Sequence, residues 1–539
     1  MTQTPIIPGF APDPSIVRIK SDYFLVTSSF HLFPGLPIYT STDLVSWTHI
    51  GNATNRPSQL SLAASSALIH NVDGSPSKFL IGAGGLYAPT IRHHNDRTYI
   101  VCTNVRHGYK GTENTPRPGI AFDNFIIYTD DIWSDTWSDP IYFDFYGIDP
   151  DLFFDDDDRV YITGSSWNTN PGTINGFEID LATGQKLSPE KSIWEGFTKV
   201  IPEGPHIYKR KDWYYILDSE GGTHESHQLS IARSRNIWGP YENCPANPIL
   251  APSTTRDGFQ YIQYNGHGDL FQDGKGNWWL VFLAARVDRD GRCVMGRETF
   301  ICLVQWPEDG WPVIQHSLAM DVASRVSDLD GLISVPSVLH PQVGMVWIRD
   351  PDLRKFEIVD GGKVINISPS VNDLEHPTGL ISFVGRRQRL LDGQATATLR
   401  TSDNLALSEQ GVRAGLAFYK EEHRFARITY NFETSIVTFE MKNAGRNPAI
   451  SITFNNITVP VPPRSDIQFR IQYTEQVLKF GYRVGVFEES KWISLGTVDT
   501  LDFTDHDFTG PCIGVYAMGK DIGGDGLSST VSFVDLVVS

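Results

Sequence analysis

The chain reads as all-β: a five-bladed β-propeller over residues 1–320, a linker over 321–340 and a β-sandwich over 341–539. Three observations predict this. A strand opening that sets a polar or aromatic residue beside Pro or Gly recurs five times. An aromatic-rich strand follows each opening at short range. Beyond about residue 340 the repeat gives way to two-residue alternation.

The five openings are Ala11-Pro12-Asp13-Pro14, Tyr87-Ala88-Pro89-Thr90, Ile148-Asp149-Pro150-Asp151, Glu203-Gly204-Pro205-His206 and Gly266-His267-Gly268-Asp269. Their partner strands are Tyr23-Phe24-Leu25-Val26, Tyr99-Ile100-Val101, Tyr161-Ile162, Trp213-Tyr214-Tyr215-Ile216 and Trp278-Trp279-Leu280-Val281. A unit repeated at intervals of roughly 50 to 75 residues, punctuated by turn signals, predicts propeller blades of four short strands. The first strand of each blade lines the axis. Asp13, Tyr87, Asp149, Glu203 and His267 are therefore expected to converge in one funnel.

In the linker region the aromatic repeat stops at Ser- and Asp-containing text such as Ser327-Asp328-Leu329-Asp330-Gly331. Alternation follows, as in Ala426-Arg427-Ile428-Thr429-Tyr430 and Ile467-Gln468-Phe469-Arg470-Ile471. Period two over many strands predicts an antiparallel sandwich. No long amphipathic helix is expected in either part.

A chain of 539 residues exceeds one core, so two or three domains are expected. The net charge of −18 argues against nucleic acid or an anionic membrane as partner, and leaves a neutral sugar open. No apolar run reaches the roughly 18 residues of a membrane helix. Homo-oligomerisation is left open. The first strand motif begins by Pro8, which leaves no room for a secretory leader. The expectation is a cytoplasmic protein, or an extracellular one if a leader has been removed. Five cysteines without CxxC spacing read as free buried thiols and favour a reducing compartment. Sequons at Asn52, Asn366 and Asn456 pull weakly the other way. The run Asp155-Asp156-Asp157-Asp158 reads as a solvated hairpin turn rather than a calcium site.

Three carboxylates in an aromatic-walled funnel suit glycosidic cleavage. One acid protonates the departing oxygen, and one base activates water on the opposite face of the ring. A third carboxylate raises the acid's pKa by its charge. Phe30, Tyr87 and Trp167 are candidates to cover the apolar face of a sugar. Asp-Pro alone commonly starts a turn; the repetition at equivalent strand starts is what argues for a site. Other chemistries lack support. There is no G-x-S-x-G elbow, His224-Glu225-Ser226-His227 is one residue short of H-E-x-x-H and reads as a polar loop, and Gly523-Gly524-Asp525-Gly526 reads as a turn.

Several segments resemble glycoside hydrolase family 43 in order along the chain. They are Pro8-Gly9-Phe10-Ala11-Pro12-Asp13, Gly84-Gly85-Leu86-Tyr87-Ala88-Pro89, Glu203-Gly204-Pro205-His206, Gly221-Gly222-Thr223, Gly266-His267-Gly268 and Gly296-Arg297-Glu298-Thr299. Phe383-Val384-Gly385-Arg386-Arg387-Gln388 and Phe508-Thr509-Gly510-Pro511 extend the likeness into the second half, where it implies a concanavalin-like sandwich. The pattern is most similar to the two-domain β-xylosidases and α-L-arabinofuranosidases. The resemblance implies Asp13 as general base, Glu203 as general acid and Asp149 as the carboxylate that tunes and orients the acid. It implies Arg297, Phe30 and Tyr87 as sugar contacts, and Phe508 as a sandwich residue that narrows the pocket. It implies His267 at the bottom of the funnel, where relatives hold calcium; no other cofactor is expected. Three departures bear on substrate choice: Tyr87 where Trp is common, an insertion over residues 64–78, and a longer Asp288-Arg289-Asp290-Gly291 loop.

The expected function is exo-acting, inverting hydrolysis of a terminal β-D-xylose or α-L-arabinofuranose from xylan-derived oligosaccharides. The alternatives are action on arabinoxylan side chains and a non-catalytic carbohydrate-binding propeller. Glu220 and Glu298 are the next candidates for the acid should Glu203 fail.

Overall fold

The computed structural model describes residues 4–71, 79–109, 119–169, 172–251, 260–315, 335–401, 407, 411–443, 465–485, 490–520 and 530–539. The Asn456 sequon, Gly523 to Gly526 and most of the expected linker lie outside them.

The first half forms five four-stranded antiparallel blades. Their first strands are Ser15–Ile19, Gly85–His94, Gly147–Phe154, Glu203–Arg210 and Ile262–Gln272. All five expected openings therefore begin blades. The second strands are apolar on both faces because each blade is covered on both sides. Phe24 and Val26 join Ile91, Ile100 and Cys102 in one cluster, while Tyr23 and Leu25 pack with Phe271, Trp279 and Val281 of the last blade. Ile216 faces Ile174 of the third blade, whereas Tyr215 and Leu217 face Leu280 and Phe282 of the fifth. Strands buried on both faces read as continuous apolar runs. Each fully buried side chain of this size contributes about 1.5–3 kcal/mol.

A polar axle runs beneath the funnel. Arg92 pairs with Asp151 at 2.7 Å and Asp269 at 2.8 Å. Asp269 also accepts from Ser15 Oγ and Tyr208 Oη, each at 2.7 Å. Every blade contributes one of these residues. Burial opposes the charge on Asp269, yet Arg92 and the hydrogen bonds hold its carboxyl below the usual range.

Two seven-stranded sheets build the second half. One takes in propeller residues: Leu32–Phe33 pairs with Met345–Ile348, matching Phe33 with Trp347. The expected insertion supplies the strand Ala67–Asn71, which pairs with Phe79–Ala83 just beyond it, and His506–Asp507 of the sandwich adds to this hairpin in parallel. Glu422 of the sandwich accepts from the Ala67 amide at 2.7 Å. The end of the expected linker is not a free connector, since Ser337–Val338 extends the first blade beside Thr48–Thr54.

The acidic run is a turn, but Asp155 is more than solvated. It is buried, and it accepts from Lys209 and from Tyr214 at 2.6 Å, so it ties the third blade to the fourth. All five cysteines are buried and free. Asn52 is buried and bonds to the Val343 carbonyl, which takes its sequon off the surface.

Candidate active site

Bulges aim the functional side chains. The register between first and second strands shifts between Tyr87 and Thr90, between Ile148 and Asp151, between Glu203 and His206, and on both sides of Gly266. A bulge leaves one residue out of the ladder and re-aims its side chain. Asp13, Asp149 and His267 take positive φ values of 55°, 56° and 39°. Left-handed backbone at non-glycine residues costs of order 1–3 kcal/mol each and clusters at functional sites. Gly204, at φ 57°, has a second constraint: a Cβ there would lie 2.8 Å from His267 Nδ1.

The funnel brings together Asp13, Phe30, Tyr87, Asp149, Glu203, His267, Arg297 and Phe508, all eight expected site residues. Asp13 accepts from Ser28 Oγ at 2.6 Å and from Arg297 Nη1 at 3.3 Å. Asp149 accepts from the amide of Gly204, directly after Glu203, at 3.1 Å. His267 Nδ1 stands 3.9 Å from Asp13 and 4.0 Å from Asp149. Phe30 is the centre of the wall, with ring centroids 4.9 Å from Tyr87 and 5.8 Å from Phe508. The Arg297 guanidinium lies 5.6 Å from the Phe30 centroid and 5.1 Å from that of Phe508.

Trp167 does not join them. It packs edge-on against Phe122 at 5.2 Å, in a cluster with Tyr146 outside the funnel lining. Sequence reasoning also missed two polar lining residues, Thr223 and His227. Thr223 accepts from Arg297 Nη1 at 2.9 Å. The polar loop of His224 to His227 is split: His224 stacks on His506 of the sandwich, while His227 turns inward. The signal was Gly221-Gly222, both at positive φ, which turn the chain back over the funnel.

Electrostatics separate the carboxyl groups. Burial, then the charge of Asp13, pushes Glu203 up to about 7 against the pull of Arg297. Burial, then Glu203 and Asp13, raises Asp149 well above the usual carboxylate range. Burial lowers His267 to about 4 and His227 to about 3, so both imidazoles are neutral at pH 7. The fallback acids are engaged elsewhere. Glu298 holds Arg286 with both oxygens and accepts from Gly9. Glu220 accepts from Thr198, Lys199 and Ser230.

The donor set does not fit calcium, which takes six to eight oxygens. His267 offers one nitrogen, and Asp151 and Asp269 on the axis are already neutralised by Arg92. Among the described residues, no group of three or more His, Cys, Asp or Glu side chains could hold a metal ion.

A propeller funnel with a carboxyl group held protonated near neutrality, further carboxylates beside it and aromatic walls defines a glycoside hydrolase. Residues 2–312 match the model of the glycosyl hydrolases family 43, and residues 342–530 match the β-xylosidase C-terminal concanavalin A-like domain. The chain belongs to family 43 and is an inverting glycosidase acting on oligosaccharides. It is 35% identical over 424 residues to a xylosidase/arabinosidase of Butyrivibrio fibrisolvens, covering 74% of this chain and 75% of the relative. It is 30% identical to a non-reducing end α-L-arabinofuranosidase of Bacteroides ovatus, covering 96% and 91%. A solved xylan β-1,4-xylosidase of Bacillus halodurans superposes with a TM-score of 0.80 at 25% identity, over 99% of both chains.

Proposed function

We propose that this glycosidase removes a terminal pentose, β-D-xylose or α-L-arabinofuranose, from xylan-derived oligosaccharides. Asp13 deprotonates the attacking water. Glu203 protonates the leaving oxygen. Asp149 and the acid disfavour each other's ionisation, and Asp149 fixes the acid's backbone through the Gly204 amide. The observation that carries the reading is Phe508. It enters from the sandwich and closes the funnel against Phe30 and Tyr87, as a pocket for a chain end requires. The names of the relatives supply both pentoses. A carbohydrate-binding propeller has no use for an acid held at about 7. The five buried free thiols support a cytoplasmic location.

Separate incubation with nitrophenyl β-D-xyloside and α-L-arabinofuranoside tests the reading. Release of nitrophenol from one or both is expected, and so is release of pentose from the non-reducing end of xylo- or arabinoxylo-oligosaccharides. Turnover of neither, by a folded protein, would sink it.

A further inference from the structure

His227 is buried and lies beside the acid, and no expected role accounts for it. Its Nδ1 is 3.0 Å from the carbonyl of Tyr264. A carbonyl only accepts, so Nδ1 carries the ring hydrogen and Nε2 is a bare lone pair in the neutral imidazole. Nε2 is shut off from solvent and makes no hydrogen bond to the protein. It stands 3.9 Å from Glu203 Oε1. The ring cannot back away, because it packs on Gly266, where a Cβ would fall 2.1 Å from its Cε1.

We propose that His227 is a positioning residue for Glu203, its Nε2 being the acceptor that keeps the proton on the resting acid. The proposal rests on the reading of Glu203 as general acid. A lone pair facing a carboxylate repels it, whereas the same lone pair facing a carboxylic acid accepts a hydrogen bond. Closing 3.9 Å to hydrogen-bond length takes about 1 Å of side-chain movement, within the looseness usual for an empty site. Burial already holds His227 neutral. When substrate enters, the carboxyl hydrogen turns to the glycosidic oxygen. The Glu203 O–H bond breaks, the leaving group's O–H bond forms, and Glu203 is left as carboxylate until solvent reprotonates it. His227 stays neutral throughout. The other titratable groups that interact with Glu203 are Asp13, Asp149, Asp218, Tyr87 and Arg297. The carboxylates favour the protonated acid and Arg297 opposes it; His227 adds an uncharged acceptor.

The test compares His227→Phe, which keeps a flat ring without an acceptor, with His227→Gln, which returns an oxygen near the position of Nε2. The alkaline limb of kcat/KM should move down by about one pH unit in His227→Phe, a roughly tenfold loss above the limb and little loss below it. His227→Gln should recover most of that shift. An equal loss at every pH, a rise in KM alone, or no change would each overturn the proposal. Infrared difference spectra between the wild type and Glu203→Gln isolate the Glu203 carboxyl band. In the wild type that band should be shifted to the frequency of a hydrogen-bond donor. A free-carboxyl band overturns the proposal even where no His227 variant folds. That measurement follows the proton whether or not Glu203 proves to be the acid, so the two failures are distinguishable.

Discussion

Arg297 of the propeller donates a hydrogen bond from Nη2 to the main-chain carbonyl of Phe508 in the sandwich at 3.2 Å. Its Nη1 reaches Asp13 and Thr223. One guanidinium thus ties together Asp13, the returning loop and the second domain. The sandwich is part of the active site, through a backbone bond as well as an aromatic ring.

Phe508→Ala should therefore separate two functions. The carbonyl bond to Arg297 survives the change, and the aromatic wall does not. Loss of one packed ring costs about 1–2 kcal/mol of sugar binding, so kcat/KM should fall roughly five- to thirtyfold. Most of the loss should lie in KM. Steady-state kinetics check it, and a collapse of kcat alone would count against a wall role.

Asp13→Asn should lower kcat by about 10²–10⁴-fold on every substrate while the fold persists. Asparagine keeps the shape and an acceptor for Ser28, but it cannot take a proton from water. Circular dichroism and single-turnover rates check it. Near wild-type turnover would remove Asp13 from the role of base.

Glu203→Gln should discriminate by leaving group. Dinitrophenolate departs almost unaided, whereas a sugar alkoxide needs a proton. The variant should lose about 10²–10⁴-fold on oligosaccharides and far less on dinitrophenyl pentosides. Asp149→Asn should instead move the alkaline limb down, because the mutual repulsion by which Asp149 and Glu203 each disfavour the other's ionisation is gone. Equal losses on both substrates, with the limb unmoved by Asp149→Asn, would refute the assignment.

Stability should carry the signature of the same acid. The Glu203 pKa rises from 4.5 to about 7 on folding. Below 4.5 both states are protonated and the group contributes nothing. Between 4.5 and 7 the folded state holds more proton, so stability falls as pH rises; above 7 the full cost, roughly 2–4 kcal/mol, is present. Glu203→Gln should thus raise Tm at pH 8 and leave it unchanged at pH 4. Thermal melts across that range check it; a lower Tm at pH 8 would reverse the sign.

Exhaustive chelation should leave kcat/KM unchanged, since Arg92 already supplies the positive charge on the axis. Assays in chelator with and without added calcium check it. Loss of activity restored by calcium would contradict the donor-set argument.

The propeller was legible because each blade is covered on both faces. That forces runs such as Leu280-Val281-Phe282, whose alternate side chains serve opposite neighbours. The carboxylates were legible because each stands at the opening of a first strand. Trp167 and His227 were misread for one reason: the sequence records residue type, and the direction of a loop side chain depends on contacts far away in the chain. His227 points inward because Gly221 and Gly222 turn the loop and Gly266, from another blade, leaves space for the ring.

By itself the sequence determined the five blades, the change to a sandwich and the convergence of Asp13, Tyr87, Asp149, Glu203 and His267, because strand period and repeated openings are local properties; Arg297 and Phe508 came from the resemblance to the family. Only the tertiary structure decided how they work together. Bulges set the aim of Asp149, Glu203 and His267, Arg92 closes the axis, and Arg297 joins Asp13 to the sandwich. The pKa of Glu203 also belongs to that level. It comes from burial and from the charge of Asp13, a residue of another blade that only folding brings near.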